Sequence, residues 1–381
     1  MKHLKLFKNS SELDNGVKVE TPNVSYLENK NVLYIPSSVG KEATIVYKQE
    51  DDEIHYKLPI PAVKFTAKQA NSTVGLSKKS TGQTLEYSTD FETWNNMTTA
   101  TTVNLSSGES IYVRGILSSN QTLGQYTHFS MTGDIKASGN INYLWNKNNP
   151  DTPLKDYCGC NLFNGCTALT DVSELTLPAT ALTQFCYVYM FSGCRLLTTA
   201  PELPATTLAY SCYSGMFRNC TSLTTVPELP ATTLAETCYN AMFDGCTNLT
   251  TAPTLPATNL AEYCYQNMFS GCTSLTTAPE LPATTLKSHC YKKMFLGCTS
   301  LTTAPVLPAT TLASWCYDTM FASCTNLNYI KCLATSISAT ECTFSWVYNV
   351  ASSGTFIKNA KMSSWKTGDN GIPTGWTIQN A

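Results

Sequence analysis

Apolar residues return to the same places in this chain every 26 positions. A Met-Phe pair stands at Met190/Phe191, Met216/Phe217, Met242/Phe243, Met268/Phe269, Met294/Phe295 and Met320/Phe321. An earlier copy, Leu162/Phe163, precedes the first of these by 28 residues, the two extra lying in 169–177, where L-T-D-V-S-E-L-T-L replaces L-T-T-A-P-E-L. A worn last copy puts Trp346/Val347 in the slot. A period this strict is the mark of a solenoid, in which each unit buries its apolar face against its neighbours.

The unit 246–272 shows what each copy should form. Residues 249–252 are a short extended run closed by Pro253 and Pro256. Proline cannot donate to a ladder, so the strand is limited to about three or four residues. The turn 256–259 follows, and Asn259 with Glu262, like Thr233 with Glu236, has capping-box spacing. Ala261, Cys264, Tyr265, Met268, Phe269 and Cys272 then fall on one face of a predicted helix. Gly271 should end it in a left-handed cap, as Gly193, Gly245, Gly297 and Asn219 do in their copies, with Ser323 the exception. Strands stack about 4.8 Å apart and helices about 8–10 Å apart. The helix side should therefore spread and leave the strand face concave.

The phrase F-x-G-C-T-S-L at 269–275 resembles the BspA-like subclass of leucine-rich repeats of bacterial surface proteins, over about 158–350. The resemblance implies a leucine-rich-repeat solenoid that binds a partner. The P-E-L-P segment departs from the subclass pattern L-x-x-I-x-I-P and implies a bulge. At the other end, E-T-P-N-V-S-Y-L-E-N-K-N-V-L-Y-I-P (20–36) resembles a leader of virion proteins of Bacteroides-type phages. That likeness implies that residues 1–60 dock onto other virion proteins.

The rest of the chain reads as β structure. Strands are expected at 17–20, 31–35 and 43–47, then at 63–65, 84–87, 101–105, 111–114 and 128–131, with polar turns between them. Asp51-Asp-Glu53 reads as a solvated charge run, and Trp94 as core, with a ligand contact as the alternative. Residues 140–145 begin the solenoid, and 355–358 with 376–378 should close it. The predicted fold is mainly β with an α/β solenoid. It comprises an N-terminal β extension (1–60), a small β-sandwich (61–139), a curved solenoid of about seven repeats (140–350) and a C-terminal β cap (351–381).

Composition narrows the chemistry. Charged residues are 14% and the net charge is -2, so no basic footprint for nucleic acid exists. No apolar run reaches the roughly 18–20 residues of a membrane span, and 1–14 lacks the apolar core of an export signal. The seventeen cysteines suggest a disulfide scaffold, but their spacing argues otherwise. On a helix, Cys264 and Cys272 would be about 12 Å apart, and a disulfide needs Cα atoms within about 7 Å. The expectation is two columns of buried thiols, Cys186/212/238/264/290/316/342 and Cys166/194/220/246/272/298/324, with Cys160 and Cys332 as the only odd pair. Zinc is not expected, nor any other cofactor, because C-x₇-C is not a ligand spacing.

No catalytic constellation emerges: His3, His55, His128 and His289 are scattered, and none lies by a nucleophile with a third orienting group. A non-enzymatic protein is expected. The candidate site is the residue before the first cysteine of each unit, which should face outward: Phe185, Ser211, Thr237, Tyr263, His289 and Trp315. Four rings in one exposed column, flanked by Tyr210, Glu262, Lys292 and Lys293, suggest a surface for a glycan or a protein, or a contact within a homo-oligomer. The strand-side ladder Thr225, Thr251, Thr277 and Thr303, with Glu202, Glu228 and Glu280 beside it, is the rival face. The expected function is recognition of a host surface by a virion fibre or decoration protein. The alternative is a bacterial cell-surface adhesin.

Overall fold

The computed structural model describes residues 61–381, except 123, 363 and 364, and before them only the backbone of five strands. These are β1 (Val17–Val19), β2 (Ser25–Leu27), β3 (Val32–Tyr34), β4 (Thr44–Gln49) and β5 (Asp52–Lys57). β4 pairs antiparallel with β1 and β5, and β2 with β3. The expected strands 17–20, 31–35 and 43–47 thus form, whereas the charge run enters β5. The phage-like leader otherwise lies outside the described residues.

The next strands are β6 (Val63–Ala67), β7 (Ser72–Lys78), β8 (Gln83–Ser88), β9 (Asn95–Met97), β10 (Thr102–Leu105), β11 (Ser110–Leu117), β12 (His128–Thr132), β13 (Ile135–Asn140) and β14 (Leu169–Thr176). They make one sheet of order β10-β7-β12 and a second of order β14-β13-β6-β11-β8-β9. Alternation buries Val63, Phe65 and Ala67 of β6, and Phe129 of β12 meets Phe65 at 5.0 Å between ring centres. Trp94 departs from expectation: it is half-exposed, and the Arg114 guanidinium lies 3.6 Å from its ring centre. Glu86 accepts from Arg114 at 2.6 Å and from Lys147 at 2.7 Å, so the indole is a shelf under an ion pair.

Sandwich and solenoid share a sheet. β13 pairs antiparallel with β6 on one side and parallel with β14 on the other. The two extra residues of the first copy lengthen β14, and the β13–β14 register shifts twice along the pair. Between β13 and that copy the chain makes a 3₁₀ turn, Ile141–Leu144. In later copies the proline-bounded run is reduced to single parallel bridges, such as Thr199 to Thr225 and Thr251 to Thr277. Sustained pairing resumes at β15 (Tyr329–Cys332), β16 (Thr355–Lys358) and β17 (Thr377–Asn380), a parallel sheet whose last strand is exposed.

The predicted helices do not form; no α-helix occurs among the described residues. The segment from Tyr263 to Cys272 is a run of tight turns in which alternate N–H groups point different ways. Gln266, Met268, Ser270 and Cys272 donate to carbonyls three residues back, at 3.1–3.2 Å. Tyr263, Tyr265, Asn267, Phe269 and Gly271 donate to the next coil, to Ser288, Cys290, Lys292, Met294 and Leu296, at 2.7–3.2 Å. Every fourth residue is left-handed, with φ 56° at Tyr263, 55° at Asn267 and 71° at Gly271. This resets the chain and prevents i→i−4 bonding. The inward set Cys264/Tyr265, Met268/Phe269, Cys272 therefore has a period of four, not 3.6. Asn259 bridges to Thr233, so neither caps a helix. Ser323, at φ 60°, takes the same left-handed turn as the glycines.

Because the turn side is hydrogen-bonded between coils, it stays almost as close as the strand side. Successive phenylalanines from Phe163 to Phe321 stack at 5.5–5.8 Å and successive tyrosines from Tyr187 to Tyr317 at 5.8–6.2 Å. The helix spacing that was to impose curvature is absent. Both ring columns end on Trp346, which lies 6.1 Å from Tyr317 and 6.2 Å from Phe321. Its indole N–H donates to Gly371 O at 2.8 Å. Within the tyrosine column the hydroxyls of Tyr187, Tyr239 and Tyr291 are buried without a partner.

All seventeen cysteines are buried and free, Cys160 and Cys332 included, so the odd pair does not form. Cys158, which the column assignment omitted, carries the first column back one coil toward the sandwich. In the second column Cys166 donates to Phe129 O of β12, and from Cys194 on each thiol donates to a phenylalanine carbonyl of the preceding coil, for example Cys220 Sγ to Phe191 O, 3.1 Å, and Cys272 Sγ to Phe243 O, 3.2 Å. They are small apolar fillers whose S–H is occupied by the backbone.

Candidate functional site

The outward column exists but is broken. Tyr157 and Phe185 stack at 4.4 Å, and Tyr210 meets Phe185 edge-on at 5.1 Å. Ser211 and Thr237 interrupt the rings, their hydroxyls hydrogen-bonded to one another. A second row then begins: Tyr263 on His289 at 4.4 Å and His289 on Trp315 at 5.8 Å, with planes within 19° and 7° of parallel. Tyr157 was missed by sequence because its unit is offset by 28 rather than 26 residues.

Every residue that begins this column in a regular coil has positive φ, from 54° at Ser211 to 58° at His289 and Trp315. The left-handed turn aims the side chain off the coil, and the coil repeat then lays ring on ring. The rings are half-buried rather than freely exposed. Their faces are spent on one another, so the row offers edges along its length and a face only at each end, toward the Thr237 and Glu341 positions of the column. A protein or glycan that meets the row therefore touches ring edges along it and finds a ring face only at its ends.

Charge is concentrated beside the second row. Lys292 Nζ lies 5.0 Å from the Trp315 ring centre and 2.8 Å from the buried Asp318 carboxylate, which also accepts from Thr319 Oγ1 at 2.5 Å. Ser288 Oγ is 2.7 Å from His289 Nδ1. Burial between the two rings, and then the neighbouring Lys292 charge, hold His289 below its ordinary pKa. Lys293 is half-buried on a left-handed residue, and Glu262 is exposed at the rim. Asp318 was not singled out from sequence; its signal was a lone carboxylate in a column otherwise reading Val188, Ser214, Asn240, Gln266, Lys292 and Phe344.

The rival strand-side face is polar. Thr225, Thr251, Thr277 and Thr303 are exposed, and Glu202, Glu228 and Glu280 stand beside them. By the last coil, Ile337, Phe344, Ser345 and 366–371 line a groove of about 620 Å³.

One reading of the histidines needs correcting. His128 does meet a nucleophile: Ser77 Oγ hydrogen-bonds its Nδ1, while Nε2 donates to Asn164 O at 2.6 Å. Strand pairing of β7 with β12 brings them together, which no local motif could reveal. The bond ties the sandwich to the first coil. Among the described residues no group of three His, Cys, Asp or Glu could hold a metal, and no helix is long and apolar enough to cross a membrane.

Residues 155–276 and 228–351 match the model of the BspA type leucine-rich repeat region, in six copies. No curated protein and no solved structure matched the chain. The family points to a binding, adhesin-type protein. With just over half of its length inside the matched region, the chain belongs to the BspA-type leucine-rich-repeat family.

Proposed function

We propose that this protein is a non-enzymatic recognition protein whose solenoid holds out the row Tyr263, His289 and Trp315, with Lys292, to a protein or glycan on a bacterial surface. One observation carries this reading. Inward positions repeat almost unchanged from coil to coil, whereas the outward column gathers three consecutive rings, a lysine and a buried carboxylate in one place. Stability does not require rings there, since Ser211 and Thr237 serve the same position in earlier coils. The Ser77–His128 pair is read as a clamp.

Within that function we favour a phage fibre or decoration protein, docked through residues 1–60 onto other virion proteins and assembled as a homo-oligomer. The likeness of 20–36 to virion leaders supports this. The second reading, a bacterial cell-surface adhesin, draws its support from the repeat family. Neither requires a cofactor, nucleic acid or membrane insertion. Fluorescently labelled protein, mixed with intact Bacteroides-type cells, should bind, and Tyr263→Ala/His289→Ala/Trp315→Ala should lose at least tenfold in affinity. Undiminished binding by a folded triple variant would exclude the row, and Thr251→Lys/Thr277→Lys would then test the strand face. Immunogold labelling of phage particles against cell envelopes separates the two settings.

A further inference from the structure

Far along the chain from the aromatic row, at the junction of sandwich and solenoid, lies a cavity of about 130 Å³. Leu117, Asn142, Trp145, Pro150, Leu154 and Cys158 form most of its wall. Two of these residues carry an unmet need. Asn142 Oδ1 and Trp145 Nε1 are buried and have no hydrogen-bond partner, and each residue is only 6% exposed. Asn142 is oriented from its other end, because its Nδ2 donates to Pro150 O at 2.9 Å. What remains is an acceptor, while the indole nitrogen can only donate. The two residues are three apart on the 3₁₀ turn, where positions i and i+3 eclipse, so the turn carries both to one side.

An unpartnered acceptor and an unpartnered donor, on two residues that line one largely apolar cavity, are what a single hydroxyl group satisfies. We propose that this cavity binds a small neutral molecule with a hydroxyl on a compact apolar body, of the size of phenol or a short alcohol. The hydroxyl donates to Asn142 Oδ1 and accepts from Trp145 Nε1–H, and the body fills the space against Leu117, Leu154 and Cys158. A dry cavity of about 150 Å³ accommodates benzene, which limits the ligand to about seven non-hydrogen atoms. A single water, at about 30 Å³, would meet the two polar atoms but leave most of the apolar volume empty. The nearby cation does not favour an anion, since Lys155 Nζ is committed to Leu117 O at 2.8 Å. Ile116, 37% exposed, and the exposed Thr152 and Pro153 also line the space and mark the way in.

The test is a titration of the full chain with phenol and, separately, benzene, followed by indole N–H resonances and thermal unfolding. Phenol should move the Trp145 resonance and raise the melting temperature, and should bind at least tenfold more tightly than benzene. Trp346 and Trp376, whose indoles already donate to Gly371 O and Ala351 O, should not move. Trp145→Phe and Asn142→Leu should each abolish the preference for phenol. Equal binding of phenol and benzene would reduce the site to an unselective apolar hole and overturn the proposal. So would a Trp145 resonance that millimolar phenol leaves in place, the result expected if water alone occupies the cavity. The comparison of ligands on the unmutated protein decides the matter even if a variant fails to fold.

Discussion

Raising the pH should unfold this protein abruptly, because its core is built from acids that it cannot let ionise. Burial pushes the thiols up from an ordinary value near 9, to about 11 at Cys160 and Cys186 and to about 12 at Cys166, Cys212, Cys264, Cys324 and Cys332. The folded pKa lies above the unfolded one. The neutral thiol therefore contributes its full stability below pH 9, and that stability is lost as pH climbs from 9 toward 12. At pH 10 each such thiol favours the unfolded chain by about 1.4 kcal/mol, since one pKa unit is worth that much. For these seven the total is roughly 10 kcal/mol, within the 5–15 kcal/mol that holds a typical domain together. Circular dichroism should show a cooperative collapse near pH 10, with thiolate absorbance at 240 nm rising in the same step. At pH 8 a thiol with pKa about 12 is ionised only about one part in 10⁴, so Ellman's reagent should label the native chain extremely slowly and all seventeen thiols at once after denaturation. A gradual 240 nm titration centred near pH 9 with the dichroism unchanged would refute the stacked interior.

Other substitutions probe the coil directly. Ser323→Gly should stabilise by about 1 kcal/mol, because glycine alone holds a φ of 60° without steric cost, and thermal unfolding would show it. Tyr239→Phe removes a buried hydroxyl with no partner, so denaturant unfolding should find it neutral or up to about 1 kcal/mol more stable, against expectation for a residue in the middle of a ring column. Phe269→Ala opens a void between two stacked rings and should cost about 3–5 kcal/mol in the same assay. Acidification should weaken the fold slightly around His289: its folded pKa is depressed, so stability is present above the unfolded value near 6.5 and is lost as pH falls below it. His289→Asn should flatten the stability profile between pH 7 and 5.

Whereas the proline-bounded strands expected in each copy shrink to single bridges, the repeat, the buried identity of Cys, Met and Phe and the left-handed glycine slot were legible in the sequence. The helix was not, for a numerical reason. Over the nine residues from Cys264 to Cys272, periods of 3.6 and 4.0 place the same side chains inward, and they diverge only in longer segments. The distinction rested on where every second N–H goes, and a hydrogen bond to a carbonyl 25 residues ahead leaves no mark on its own residue. The candidate column was found by comparing repeats, but its rings stack because coils approach to under 6 Å, which a helical unit forbids. Ser77 and His128 met through strand pairing alone, and the cavity at Asn142 and Trp145 arose where two architectures join.

The pairing of β13 with both β6 and β14 sets an order of assembly. As the chain leaves the ribosome, the sandwich strands β6 to β13 are all synthesised before any coil, and β13 offers a ready edge. The first coil then condenses on a finished template instead of having to find a partner in solution, and each later coil inherits the edge left by its predecessor. A solenoid primed in this way elongates in one direction, with translation itself keeping the successive coils in register.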